Sequence, residues 1–345
     1  MTGIARLCLL HLGKPLLAVV AAALSLLYCP PLLSQETRTE APSVDALASG
    51  VVRIRTFIDP DGRTTETLGH ERSGNGIVID KGGLVLTIGY LMVEAQLAEI
   101  ETANGRRVGA EIVGYDYDTG FGLLRAQAPL DVRPLEFGRS GDLKSGDKVL
   151  IARAGGVTAL GPATIAARRE FAGYWEYLLD EAIFTSPPYP EWSGAALVNR
   201  DGRLVGVGSL IVADGSGAGA GSPANMFVPI DLLPPILAEL MRDGKVSSAP
   251  KPWLGLNTDD AGGRLIVRRV MPGGPADKSG IRKGDTIVAV DGKGARSLAD
   301  LYRRVWGLGQ AGVTVPLEIM RDGASQVFQV QSINRMKHLK LHSTF

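Results

Sequence analysis

Pro272-Gly273-Gly274-Pro275-Ala276-Asp277-Lys278-Ser279-Gly280-Ile281, followed by Lys283-Gly284-Asp285-Thr286-Ile287-Val288-Ala289-Val290-Asp291-Gly292, is the stretch on which the fold of this chain turns. Glycines and prolines punctuate it, and its apolar run closes on an Asp-Gly turn, as a strand bounded by turns would. Before it stand Trp253-Leu254-Gly255-Leu256 and Leu265-Ile266-Val267. After it, residues 297–306 read as a helix with Leu298, Leu301, Tyr302 and Val305 on one face. Residues 313–320 and 325–330 are expected strands around an Arg321-Asp322-Gly323 turn. A small α+β unit over 253–334 follows, set off by a Pro-, Ser- and Gly-containing linker at 241–252.

Residues 44–240 have a different texture. Short strand-like runs alternate with turn signals: Val51-Val52-Arg53-Ile54-Arg55, Gly76-Ile77-Val78-Ile79 before Asp80-Lys81-Gly82-Gly83, and Leu84-Val85-Leu86-Thr87. Further runs lie at 107–113, 121–125 and 148–152, and residues 231–241 read as a short helix. That density of strands predicts a barrel or sandwich.

The smaller unit closely resembles a PDZ domain, on the ordered Pro-Ala, Gly-Ile, Gly-Asp and Val-Asp-Gly progression quoted above. With it in place, the larger unit resembles the trypsin-like domain of the HtrA (Deg) serine proteases. The matching landmarks include Ser73-Gly74-Asn75-Gly76-Ile77-Val78-Ile79-Asp80, Val113-Gly114-Tyr115-Asp116-Tyr117-Asp118, Leu135-Glu136-Phe137-Gly138-Arg139-Ser140, Ser193-Gly194 and Phe227-Val228-Pro229-Ile230. The resemblance implies a mainly β chain: a trypsin-like double β-barrel of six strands each, with the active site between them, followed by a PDZ domain.

It also implies where a triad would stand. The family histidine falls in Thr87-Ile88-Gly89-Tyr90-Leu91-Met92-Val93 on Tyr90, and the family aspartate falls in Asp116-Tyr117-Asp118-Thr119-Gly120 on Gly120. Only the serine carries over, as Ser193. A serine hydroxyl needs a neighbouring base to take its proton, and a phenol of pKa near ~10 is a weak one at neutral pH. His70 is the only histidine in the barrel region and precedes the Gly74–Asp80 run, so it is no replacement. Glu191, where the family has glycine, is expected to spoil the oxyanion turn through its charge and its backbone preference.

For the PDZ-like unit, the resemblance makes Trp253, Leu254, Gly255 and Leu256 the loop that receives a peptide C-terminus, with an apolar pocket near Leu298, Leu301 and Tyr302. The expected partners are therefore peptides or protein C-termini. By family resemblance the chain is also expected to form a homo-oligomer (a trimer) or a mixed assembly with an active protease. Two functions compete: an exported pseudoprotease scaffold or regulator in protein quality control, and a serine endopeptidase that uses Ser193 with an unconventional base. The chain's own end, Ser343-Thr344-Phe345, is a further candidate ligand for the groove.

Composition narrows the classes. The 345 residues carry a net charge of +1, so no basic face for nucleic acid is expected. Cys8 and Cys29 both lie in the first 34 residues, which leaves the folded part without a disulfide or a cysteine-ligated metal site, and no cofactor is expected. Residues 1–34 read as an export segment, with Arg6 and Lys14 before an uncharged run at 15–33. Cleavage, lipidation at Cys29 and retention as a membrane anchor all stay open, and the expected location is the periplasm or its membrane face. The Gly-rich run Asp214-Gly215-Ser216-Gly217 lacks a P-loop lysine and reads as a surface loop, and the basic 335–345 tail as a solvated terminus.

Overall fold

The computed structural model describes residues 43–217 and 221–341. The export segment and Ser343-Thr344-Phe345 lie outside the described residues. Among the described residues no helix is long and apolar enough to cross a membrane.

Six strands close the first barrel: β1 (Val51–Ile58), β2 (Glu71–Val78), β3 (Leu84–Ile88), β4 (Ala95–Glu101), β5 (Arg107–Tyr115) and β6 (Phe121–Ala126), in the order β1-β2-β3-β6-β5-β4. Six more close the second: β7 (Lys148–Ala152), β8 (Leu160–Gly173), β9 (Tyr177–Ser186), β10 (Ala196–Val198), β11 (Leu204–Val212) and β12 (Ala224–Pro229), in the order β10-β11-β12-β9-β8-β7. Closure removes the open edges that short strands would otherwise expose.

The two-residue period of the strands explains why β3 and β10 are buried along their whole length. On β3, Val85 enters the interior of the first barrel with Val52, Ile54, Ile100 and Leu124. Its alternates Leu84, Leu86 and Ile88 face a seam shared with Phe184, Ala196, Val207 and Met226 of the second barrel. On β10, Leu197 fills the second interior beside Ile151, Ile183 and Phe227, while Ala196 and Val198 face the seam. Strands apolar on both sides thus clamp the barrels together, and the residues just beyond their ends are brought face to face.

A short helix (Pro234–Asp243) ends at Gly244, whose φ of 70° supplies the left-handed cap. The PDZ unit follows: β13 (Leu256–Asp260), β14 (Leu265–Val270), β15 (Thr286–Val290), β16 (Lys293–Gly294), β17 (Thr314–Arg321) and β18 (Ala324–Gln331), with a helix at Leu298–Trp306. The Ser297 side chain caps that helix by accepting from Asp300 N–H. Asp285 of the Gly-Asp motif is 2% exposed and takes both guanidinium nitrogens of Arg321 at 2.7 Å, tying the turn before β15 to the end of β17.

The tail departs from the expectation of a solvated terminus. Arg335 lies over the Tyr117 ring, His338 packs on Trp253 with ring centres 4.7 Å apart, and Lys340 N–H donates to Glu94 at 2.7 Å. Ring contacts and a buried carboxylate hold a short basic segment that composition alone assigns to solvent.

Candidate active site and peptide groove

Tyr90 lies in the single helical turn Gly89–Leu91 directly after β3, and Ser193 lies in the turn before β10. Their hydroxyl oxygens are 2.6 Å apart. The Tyr90 hydroxyl is also 2.8 Å from the carbonyl oxygen of Ser209, which can only accept. One phenolic proton serves that carbonyl, which leaves the Tyr90 oxygen as the acceptor for the Ser193 hydroxyl. Burial pushes the Tyr90 phenol up to about 12, against the opposing hydrogen bond from Ser193. Among the described residues, the side chain hydrogen-bonded to the serine hydroxyl is therefore the Tyr90 phenol.

Gly120 sits opposite at φ 81°, and a Cβ built on it would stand 3.2 Å from the Tyr177 hydroxyl oxygen. That hydroxyl donates to the Thr119 carbonyl at 2.7 Å, so the space an orienting carboxylate would need is bordered by a tyrosine already engaged. His70 is exposed at the start of β2, and Lys81 is exposed in the turn between β2 and β3, at the far end of β3 from Tyr90.

The oxyanion turn differs from the sequence expectation. Glu191 takes φ 58°, the left-handed backbone expected of a glycine. Its carboxylate is exposed and lies 4.0 Å from the Arg153 guanidinium. Among the described residues, neither the Glu191 nor the Ser193 backbone N–H has a protein acceptor. Asn75, 3% exposed, holds the turn from beneath: its side-chain amide donates to the carbonyls of Glu191 at 2.7 Å and Ser193 at 2.9 Å. Its Oδ1 accepts Ala154 N–H at 2.7 Å. Gly194, at φ 73°, admits no Cβ, which would meet the Asn75 carbonyl oxygen at 2.0 Å. The turn is thus built around the buried Asn75 amide.

In the PDZ unit, Leu254, Leu256, Leu298, Leu301 and Tyr302 meet in one apolar cluster, and Gly255 turns the loop at φ 78°. Trp253 points elsewhere, bridging to Ile333 and packing on His338. The groove between loop and helix already holds a segment of this chain. Glu176, in the turn between β8 and β9, accepts the N–H groups of Leu254, Gly255 and Leu256 at 2.9, 2.8 and 2.9 Å. Sequence reasoning missed Glu176. Nothing local marks it, since its partners lie 78 to 80 positions away.

Residues 74–207 match the trypsin-like peptidase domain and residues 252–331 the PDZ domain. The chain is 27% identical over 271 residues to the periplasmic serine endoprotease DegP of Salmonella typhimurium, covering 72% of this chain and 54% of that protein. It is 30% identical over 282 residues to the chloroplastic Protease Do-like 1 of Arabidopsis thaliana, covering 75% and 63%. The chain thus spans roughly half to two thirds of the length of these relatives. A solved structure of a variant of the HtrA-type protease AlgW with a tripeptide superposes with a TM-score of 0.50 at 19% identity, covering 87% of this chain and 98% of that one, and speaks for the fold. Two closed barrels, a serine turn between them and a C-terminal PDZ unit, matched in this order by both domains, show a trypsin-like peptidase domain followed by a PDZ domain, with DegP-type serine endoproteases among the relatives of the chain.

Proposed function

We propose that this chain is a pseudoprotease of the HtrA family, an exported scaffold or regulator that engages peptides or protein termini through its PDZ groove. The observation that carries this reading is the Ser193–Tyr90 pair: among the described residues, the side chain hydrogen-bonded to the serine hydroxyl is a phenol raised by burial to about 12. A base is effective when its pKa lies near the working pH. At pH 7 a phenol of that pKa is ionised in roughly one molecule in ~10⁵. Gly120 supplies no carboxylate to orient or stabilise a cationic base.

The relatives are named as proteases, and the left-handed backbone at Glu191 favours a second reading, a serine endopeptidase that works through Ser193. Fluorophosphonate labelling and casein turnover separate the two. The pseudoprotease reading expects neither above background. Labelling of Ser193 together with casein turnover that Ser193→Ala abolishes would establish the endopeptidase instead.

Residues 1–34 and the periplasmic relatives support export to the periplasm. Homo-oligomerisation, or mixed assembly with an active protease, would give such a scaffold a regulatory role. Analytical ultracentrifugation of the chain, alone and with an active relative, reads both.

A further inference from the structure

The hairpin that joins β8 to β9 occupies the PDZ groove much as a bound peptide would. A peptide docking on an exposed strand adds main-chain hydrogen bonds along it and places its terminal carboxylate in a nest of backbone N–H groups. Each of those contacts is made here from within the chain. The Glu176 carboxylate takes three successive N–H groups of the 254–256 loop. The Tyr174 carbonyl accepts Thr258 N–H of β13 at 2.9 Å. On the helix side, the Tyr302 hydroxyl donates to the Gly173 carbonyl at 2.7 Å and accepts Glu176 N–H at 3.2 Å.

Packing and charge extend the contact. Ala172 and Leu178, on either side of the turn, pack against the PDZ core. Arg303 reaches out to Glu170 on β8 at 2.5 Å and Asp180 on β9 at 2.7 Å, one partner from each strand of the hairpin. Glu176 itself is 5% exposed and held at φ 63°. A left-handed conformation is unfavourable for a non-glycine residue, and a buried carboxylate is costlier still unless it is hydrogen-bonded. The three amide donors offset both. Such an arrangement suits a carboxyl group, whose two oxygens share the three converging N–H groups between them.

We propose that the PDZ groove is a latent site whose internal occupant, the 173–177 turn, uses the Glu176 carboxylate in place of a peptide's terminal carboxylate. This rests on the reading of the groove as a receptor for peptide termini and adds how access to it is controlled. The external ligand it takes is a peptide with a free C-terminal carboxylate, which must displace Glu176. Because the occupant is tethered, it competes at the high effective concentration of an intramolecular partner, on the order of millimolar for short connections. An external peptide then binds with its intrinsic affinity reduced by the fraction of molecules in which the groove is open.

The test uses the full chain and three proteins: wild type, Glu176→Ala and Glu176→Gly, both of which remove the side-chain acceptor while glycine keeps the left-handed backbone, so that a fold problem in one variant leaves the other. The probe is a fluorescein-labelled pool of decapeptides ending in Leu, Val or Phe with a free carboxylate, alongside the same pool amidated. Fluorescence anisotropy is expected to show the variants binding the acid pool at least tenfold more tightly than wild type, with the amidated pool bound by none. Equal affinity of all three proteins for the acid pool overturns the proposal. If no protein binds the pool, hydrogen exchange at Leu254–Leu256 decides. Unchanged protection in the variants overturns the internal occupancy. Protection lost at least tenfold sustains it and instead removes the peptide-terminus reading.

Discussion

The hydroxyl oxygens of Tyr90 and Ser193 stand 2.6 Å apart, and the same Tyr90 oxygen stands 2.8 Å from the Ser209 carbonyl. The pair reads as a structural lock between β3 and the Ser193 turn. Tyr90→Phe removes both bonds and leaves the Ser209 carbonyl without that donor. It is expected to cost about 1–3 kcal/mol, measured by urea unfolding, with fluorophosphonate labelling of Ser193 at background in both proteins. The phenol's pKa is raised in the folded state from 10 to about 12 by burial. The folded state therefore holds that proton more tightly than the unfolded chain, and the stability it contributes is present below pH 10 and lost as pH rises through 12. Tyr90→Phe should flatten that alkaline loss.

Glu191 already has the backbone of a glycine, and its carboxylate faces solvent beside Arg153. Rebuilding a triad as Tyr90→His with Gly120→Asp is therefore expected to give the same casein turnover whether residue 191 is Glu or Gly. A rise above tenfold on adding Glu191→Gly would show that the carboxylate reaches the oxyanion turn. The harder obstacle is at Gly120, where the added Cβ comes within 3.2 Å of the Tyr177 hydroxyl.

Asn75 connects β2 to both the Ser193 turn and Ala154 of the second barrel. Asn75→Ala strips the Glu191 carbonyl and the Ala154 N–H of their partner in a buried place, and leaves the Ser193 carbonyl with the backbone N–H of residue 75 alone. The expected loss is about 2–4 kcal/mol, read as a lower denaturation midpoint. A change within ~0.5 kcal/mol, the usual range for surface substitutions, would mean water replaces the amide.

Burial raises Glu176 from 4.5 to about 7, against the pull of the Leu256, Leu254 and Gly255 N–H groups and the Arg335 charge. The groups facing it are Arg335 on the tail, Tyr302 on the PDZ helix and Tyr117 after β5, with Asp116, Asp118 and Lys251 lining the same cavity. A carboxylate with a raised pKa binds its proton better docked than free. Docking therefore takes up a proton between about pH 4.5 and 7, and it weakens as pH rises across that window. Hydrogen exchange at Leu254–Leu256, corrected for intrinsic rates, should show less protection at pH 8 than at pH 5.5. In Glu176→Gln that difference should vanish.

Much of the fold was legible because its signals are local. The turn chemistry around Pro275, Gly284 and Gly292 and the helical spacing of Leu298, Leu301 and Tyr302 define the PDZ unit within one short stretch. Tyr90, Gly120 and Ser193 could be placed by motif order, and the structure brings Tyr90 and Ser193 into contact. The backbone at Glu191 could not be read this way, because a left-handed φ at a non-glycine residue depends on what holds the turn, here Asn75 from β2. The tail likewise looked like solvent-facing charge until Tyr117, Trp253 and Glu94 supplied partners from distant elements.

The sequence by itself, through its resemblance to the HtrA proteases, implied the two-barrel-plus-PDZ architecture, and it placed a tyrosine at 90 and a glycine at 120, because motif order and side-chain identity are written residue by residue. Only the tertiary structure decided that the 254–256 loop is already filled by Glu176, since a carboxylate and three N–H groups some 80 positions apart become partners only when the β8–β9 hairpin is laid along the PDZ helix.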